Sequence, residues 1–300
     1  MPREQATGGT VRIPAIEDAA LEARVVVEHA LLGVTAGSAL LKVGARLLAV
    51  HDDAFRVSWI DPATFGVTPL VLAGDGTALA KSVKPDFESA ARTSDGAIHL
   101  LGSGSTERRC AIARIDPIEG TVVLSARRDL YEHVQGALGL GVRPNIEGAV
   151  VGCGRLRLFH RGVGGAPSGC VDLRVDVLDG AAPHRVGAVC TFELGALDGV
   201  SLGITDAVAA RGEECMFVAA AEDTASAIAD GAVVGSVLGL IDSSGARWTR
   251  LVDVDGRPYR GKVEGLVVDE SFGGGWILTD ADDPEQPTTI GRIEIKGFTA

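Results

Sequence analysis

Apolar and polar positions along this chain fall into short runs of strand length, broken by turns rich in glycine and aspartate. Residues 46–50, 98–101, 156–159, 215–219 and 276–279 are apolar runs, each preceded by a turn signal: Gly44, Asp95-Gly96, residues 152–154, Arg211-Gly212 and residues 273–275. A run on each side of such a turn predicts a β-hairpin. Residues 57–61, 112–116, 173–176, 237–242 and 291–294 alternate apolar with polar and end near an acid, predicting a third strand in each group. A fourth strand follows four of the groups, at residues 67–72, 121–125, 185–192 and 248–252.

These groups repeat. Ahead of four of these groups stands a carboxylate, in PDFES (85–89), PNIEG (144–148), LGITDA (202–207) and KVEGL (262–266). Glu88, Glu147, Asp206 and Glu264 recur at intervals of 59, 59 and 58 residues, and Ser38 begins a fifth, neutral copy. The last group lacks a fourth strand, whereas the β-branched run at 24–27 precedes the first group without a partner. The pattern therefore predicts an all-β fold, a five-bladed β-propeller closed by an N-terminal outer strand. Its blades are expected at 29–72, 84–126, 143–192, 201–253, and 261–298 with 22–28, forming one domain over residues 1–300. A linear solenoid is the alternative, but it requires capping repeats and leaves the 24–27 run unexplained. Two insertions stand out. Residues 129–138 carry helical spacing with Asp129 as N-cap, and residues 225–231 read as a small-residue loop or edge.

Composition narrows the picture. The chain is 46% hydrophobic with 40 glycines, which suits a globular fold with many tight turns. Its 28 basic and 40 acidic residues give a net charge of −12, which argues against a nucleic-acid surface. The longest apolar run, 231–241, falls short of the ~20 residues of a membrane span. No apolar leader follows the N-terminal MPREQATGG, so a cytoplasmic protein is expected. Five cysteines without a CxxC pair are expected to be reduced and mostly buried.

In a propeller the innermost strands begin at the central axis, so residues repeated there converge. Glu88, Glu147, Asp206 and Glu264 would repel one another unless a cation compensates them. All-oxygen ligands, with the Ser38 hydroxyl completing the shell, point to Ca²⁺, with Mg²⁺ or another divalent ion behind it. The competing explanation is that the carboxylates accept backbone amides and hold no metal. A second ring of polar clusters shares the face: His51-Asp52-Asp53, residues 103–105 with Arg108 and Arg109, His160-Arg161, Glu222-Asp223, and Asp280 with Asp282 and Asp283. Lys84, Arg143 and Lys262 add basic groups at its rim. Arg108, Arg109, Arg143, Lys84, Lys262 and Arg161 are therefore candidates for holding an anionic small molecule. His160, Asp280 and His51 are candidates for proton transfer.

Two motifs compete. Gly199-Val200-Ser201-Leu202-Gly203 matches the nucleophile-elbow pattern, but its flanks predict neither the strand before nor the helix after that the elbow needs. Gly102-Ser103-Gly104-Ser105 is rich enough in glycine for a phosphate nest, but no strand-to-helix switch surrounds it.

NIEG (145–148) and KVEGLVVD (262–269) followed by WILTDADDP (276–284) resemble the EGL signature of the phytase-like, "esterase-like" propeller domains. PDFES with GSGS (102–105) resembles uncharacterised bacterial propeller families. The resemblance implies a propeller with a carboxylate-lined axis. A looser likeness, to five-bladed calcium-dependent nucleotidases, implies a central Ca²⁺ that binds substrate phosphates. The expectation is a metal-dependent hydrolase of an anionic or ester-bearing small molecule. A non-catalytic binding or scaffold propeller and a metal-dependent isomerase or lyase are the alternatives.

Overall fold

The computed structural model describes residues 9–162, 166–223, 231–283 and 285–298. Two strands come first, β1 (Thr10–Glu17) and β2 (Glu22–Ala30). Unit 1 contains β3 (Gly37–Val43), β4 (Arg46–His51), β5 (Arg56–Ile60) and β6 (Val67–Val71); unit 2 contains β7 (Phe87–Arg92), β8 (Ile98–Gly102), β9 (Ala111–Ile115) and β10 (Val122–Ala126). The helix α1 (Arg128–Leu138) leads to unit 3, with β11 (Ile146–Gly152), β12 (Arg155–His160), β13 (Ser168–Arg174) and β14 (Arg185–Glu193). Unit 4 adds the short β15 (Ala196–Leu197) to β16 (Val200–Ala209), β17 (Cys215–Asp223), β18 (Ala232–Asp242) and β19 (Gly245–Val252). Unit 5 holds β20 (Lys262–Val268), β21 (Gly274–Asp280) and β22 (Thr289–Lys296). Thus the fold is all-β with one α-helix among the described residues. The predicted 225–231 loop lies outside the described residues except for Gly231.

Within each unit successive strands pair antiparallel, and β2 runs antiparallel beside β22 as a fourth strand of unit 5. The first strands of the units pack side by side in the order β3, β7, β11, β16, β20, and β20 packs in turn against β3. The hydrogen-bonded ladder itself is not continuous around the molecule: units 1 and 2 remain separate four-stranded sheets. β1 was not foreseen from the sequence. Its first half pairs parallel with β14 and its second half parallel with β19, strapping the outer edges of units 3 and 4. Pro14 interrupts its alternation and most of its side chains are exposed, so neither period nor burial marks it as a strand.

The core fills the spaces between neighbouring units. Leu48, Val50 and Val57 of unit 1 meet Phe87, Ile98 and Leu100 of unit 2, while Phe159 and Phe192 of unit 3 meet Phe217 and Trp248 of unit 4. Phe217 is fully buried, worth roughly 2–3 kcal/mol. Gly239 makes its place, since a Cβ there would stand 2.2 Å from the ring. α1 begins at Arg128, and Asp129 lies inside the first turn as an ion-pair partner of Arg127 at 2.9 Å, not as the N-cap. The helix buries Leu130, Tyr131 and Val134. No helix among the described residues is long and apolar enough to cross a membrane.

Candidate functional site

Each unit's first strand carries a one-residue register shift near its start, between Gly37 and Ala39, Phe87 and Ser89, Ile146 and Gly148, Ile204 and Asp206, and Val263 and Gly265. A bulge re-aims the extra residue out of the alternating pattern. The extra residues are Ser38, Glu88, Glu147, Thr205 and Glu264. Thr205, not Asp206, therefore occupies the repeated position of unit 4. Its hydroxyl donates to the Val263 carbonyl at 2.5 Å, as Ser38 donates to the Phe87 carbonyl at 2.5 Å. Asp206 instead accepts the amides of Ala207 at 2.7 Å and Leu266 at 2.8 Å. Both oxygens of this one carboxylate are thus engaged by backbone amides.

The glycine after the glutamate has a steric cause. A Cβ on Gly148 would stand 3.1 Å from the Ala207 nitrogen, and one on Gly265 would stand 2.8 Å from the Leu40 nitrogen. At Gly265 the adjacent inner strands approach too closely for a side chain, and at Gly148 they would have to move apart by a few tenths of an ångström to admit one.

Glu88, Glu147 and Glu264 bring one oxygen each within 4.8 Å of one another, and Asp52, Asp86 and Glu88 form a second such group. Fixed cations hold these acids together. Lys84 contacts Asp52 and lies 3.0 Å from Asp86, which also meets Arg109 at 2.9 Å. Arg161 reaches Glu222 at 2.6 Å, Glu147 at 3.5 Å and Glu264 at 3.9 Å. Lys262 bridges Asp282 at 2.9 Å, Glu264 at 3.1 Å and Glu222 at 3.6 Å. For Glu264 and Asp280 burial still wins over these partners. It pushes Glu264 up to about 8 and, with the nearby Asp282 charge, Asp280 up to about 7. Glu88 is raised as well, first by burial and then by the neighbouring acids Asp86, Asp52 and Glu147, and Glu147 is raised by burial against the opposing charges of Arg161 and Lys262.

These groups line a cavity of about 510 Å³. Asp52, Asp86, Glu88, Glu147, Glu222, Asp223, Glu264, Asp280 and Asp282 face it, against Lys81, Lys84, Arg109, Arg161 and Lys262. Acid is in excess. Glu147 is held through one oxygen by Asn145 Nδ2 at 2.5 Å, while its buried Oε2 has no partner among the described residues. An all-oxygen donor set with an unpartnered buried carboxylate oxygen fits a hard divalent cation.

Of the residues expected from sequence, Glu88, Glu147, Glu264, Ser38, Asp280, Arg109, Arg161, Lys84 and Lys262 line this cavity. Asp206, His160, His51, Arg108 and Arg143 do not. His160 is fully enclosed, its Nδ1 accepting the Asn145 amide at 2.9 Å, and burial lowers it to about 4. His51 is equally enclosed, between Ser58 at 2.9 Å and Arg56 at 3.2 Å, and burial followed by the Arg56 charge lowers it to about 3. Both rings are kept neutral inside the protein, away from any ligand in the cavity. Arg108 is exposed on a 3₁₀ turn, and Arg143 reaches the Cys110 sulfur at 3.8 Å. Arg109, Arg161, Lys84 and Lys262 are engaged by carboxylates, so their charge is spent on the protein's own acids.

The structure adds Asp86, Asn145 and Thr205. Asp86 left a signal, standing two residues before Glu88 in PDFES as Lys262 stands two before Glu264. The competing motifs resolve sterically. Ser201 follows the Asp198-Gly199 turn, with φ of +48° and +88°, in the β15–β16 hairpin, and no helix follows. Gly203 leaves room for Arg161, whose Cγ would lie 2.8 Å from a Cβ. Gly104 sits beneath the Tyr131 ring, where a Cβ would lie 2.1 Å away, so its role is packing.

The Family of unknown function (DUF6929) matches residues 33–295. No curated protein matches the chain. Among solved structures, the WD40 repeats of RRP9 share 9% identity over 95% of this chain and 100% of that one, with a TM-score of 0.45. A luciferin-regenerating enzyme shares 10% over 91% and 98%, at 0.44. A gluconolactonase from Xanthomonas campestris shares 12% over 83% and 68%, at 0.41. Likeness at this level says nothing of activity.

Proposed function

We propose that this chain, which belongs to the Family of unknown function (DUF6929), is a divalent-cation-dependent hydrolase of small polar esters or lactones. The observation that carries the reading is the convergence of Glu88, Glu147 and Glu264 within 4.8 Å beside Asp280 in one open cavity. The five units are read as blades of a five-bladed β-propeller with β2 as its closing strand. The circular packing of the inner strands supports that. Ca²⁺ is the favoured ion because it accepts many oxygens at flexible geometry. Glu88, Glu147 and Glu264 would hold it. When bound, such an ion polarises an ester carbonyl and anchors negative charge on a substrate.

The chain's own residues then have distinct tasks. Arg161 and Lys262 keep the glutamates together, and Asn145 fixes Glu147 so that one oxygen faces the ring. Asp280, held near half-protonation at neutral pH by its burial, takes a proton from the attacking water and returns it to the leaving oxygen. Because Arg109, Arg161, Lys84 and Lys262 are engaged by acids, an anionic substrate group is met through the ion.

A scaffold reading also has an observation in its favour: Arg161 already bridges Glu147, Glu222 and Glu264, so an ionic network ties units 3, 4 and 5 without turnover. A screen of carboxylic esters, lactones and phosphoesters with and without Ca²⁺ separates the two. The hydrolase reading expects ion-dependent turnover that falls roughly 10²- to 10⁴-fold in Asp280→Asn while ion affinity is kept. Ion binding without turnover of any substrate leaves the scaffold. Absence of ion binding overturns the metal site.

A further inference from the structure

Cys170 of β13 and Cys190 of β14 stand directly opposite each other on antiparallel strands. Opposed residues of such strands hold their Cα atoms about 4.5–5.5 Å apart, within the ~4.4–6.8 Å that a disulfide spans. Both thiols are free and lie on the same face of the paired strands. Interaction with the neighbouring Cys170 thiol, helped by Arg157, draws the half-buried Cys190 thiol down to about 7. The same interaction and then burial hold the enclosed Cys170 thiol well above its ordinary value. The charged neighbours of the pair are Arg157 and Asp172, which bind each other at 2.6 and 2.9 Å, while β1 contributes Val11 beside Cys190. A partly exposed thiol drawn toward its thiolate next to a second thiol is the arrangement that disulfide exchange uses.

We propose that Cys190 is a thiol-modification site, attacked by low-molecular-weight disulfides and resolved by Cys170 into a cross-strand disulfide. The Cys190 thiolate attacks one sulfur of the oxidant, forming a mixed disulfide and releasing one thiol. Cys170, deprotonated as it reacts, attacks Cys190 Sγ, closing the Sγ–Sγ bond and releasing the second thiol. Two electrons pass from the cysteines to the oxidant, and the two cysteine protons leave on the released thiols. The bond joins strands that are already paired, so the fold is kept. Two residues along both strands, the opposed Ser168 and Phe192 line the axial cavity, so the cross-link stiffens one of its walls.

The test uses the full chain carrying Cys153→Ser, which removes an exposed competing thiol outside the site. Oxidised glutathione is added, free thiols are trapped with iodoacetamide, and peptides are mapped by mass spectrometry. The expected product is one intramolecular disulfide linking residues 170 and 190. Cys170→Ser should stop at a persistent glutathione adduct on Cys190, and Cys190→Ser should give neither product. In the reduced protein without these two substitutions, iodoacetamide at pH 7 should label Cys190 about 10-fold faster than Cys170, or more. That measurement stands even where a serine variant fails to fold. Equal labelling of the two thiols, no product at Cys190, or a glutathione adduct that persists with Cys170 intact each overturns the proposal.

Discussion

Asn145 Nδ2 donates to Glu147 Oε1 at 2.5 Å, and the opposite oxygen of the same carboxylate is buried with no partner among the described residues. Half of the carboxylate is anchored and half is free. A cation bound only by the folded chain stabilises it by about 2.7 kcal/mol at a hundredfold excess over Kd. Chelation should therefore lower the melting temperature and Ca²⁺ should restore it. Glu147→Gln should abolish that response, and Asn145→Ala should weaken Ca²⁺ affinity about 10- to 100-fold by calorimetry. If the chelated protein melts unchanged and holds no metal, the site is held by its own cations alone.

The bulge separates two neighbouring residues by role. Asp206→Asn removes an acceptor from the buried amide of Ala207 or Leu266, and should cost about 1–3 kcal/mol in urea unfolding while leaving the Ca²⁺ response intact. Were the substitution to abolish the ion response at unchanged stability, the assignment of Thr205 to the ring would be wrong.

Arg161 is enclosed among Glu147, Glu222 and Glu264. Arg161→Met leaves Glu147 without its charged partner and Lys262 alone to compensate Glu222 and Glu264, and should destabilise by roughly 3–5 kcal/mol. Saturating Ca²⁺ should recover more stability in this variant than in wild type, because it meets a larger uncompensated charge. Equal recovery in both would separate the arginine from the ion site.

His160 and His51 are lowered by burial to about 4 and about 3. The unfolded chain then takes up their protons first, near pH 6.5, so the stability they carry is full above that value. It is lost as pH falls toward the folded values, on the order of 3 kcal/mol per histidine by pH 4. Asp280 is raised to about 7 and acts in the opposite sense, gaining stability as pH falls from there. Subtracting the unfolding free energy of His160→Gln from that of wild type at each pH isolates the histidine. The difference should shrink from pH 7 to pH 4; a constant difference would contradict the enclosed neutral ring.

β1 and β2 share the edge of β19, but β1 alone pairs with β14 and β2 alone with β22. Removing residues 1–18 deletes only the parallel strap on β14 and β19, whereas removing residues 1–28 also bares the edge of β22. The longer truncation should melt well below the shorter, and both below the full chain. Identical melting of the full chain and the longer truncation would rule out β2 as the strand that completes unit 5.

The repeat, the strand alternation and the turn residues were legible without coordinates because each is local: a period of two, a glycine with positive φ, a carboxylate before an apolar run. Glu88, Glu147 and Glu264 could be singled out in that way. Which side chains face the axis could not be read as surely, since a bulge shifts the alternation by one residue and exchanges Asp206 for Thr205. His160 ends an apolar strand and precedes Arg161, and nothing in the string of letters distinguishes an enclosed ring from one in a cavity. Lys84, Arg161 and Lys262 looked like hands for an anion. Asp86 and Glu264 stand two residues from Lys84 and Lys262 in the chain, but only packing revealed that Asp52, Glu222 and Glu264 of other units also neutralise Lys84, Lys262 and Arg161, because that compensation depends on distances across the cavity and not along the chain. The strap β1 belongs to the same class: its hydrogen bonds go to strands far away in sequence, so tertiary structure alone gives it a partner.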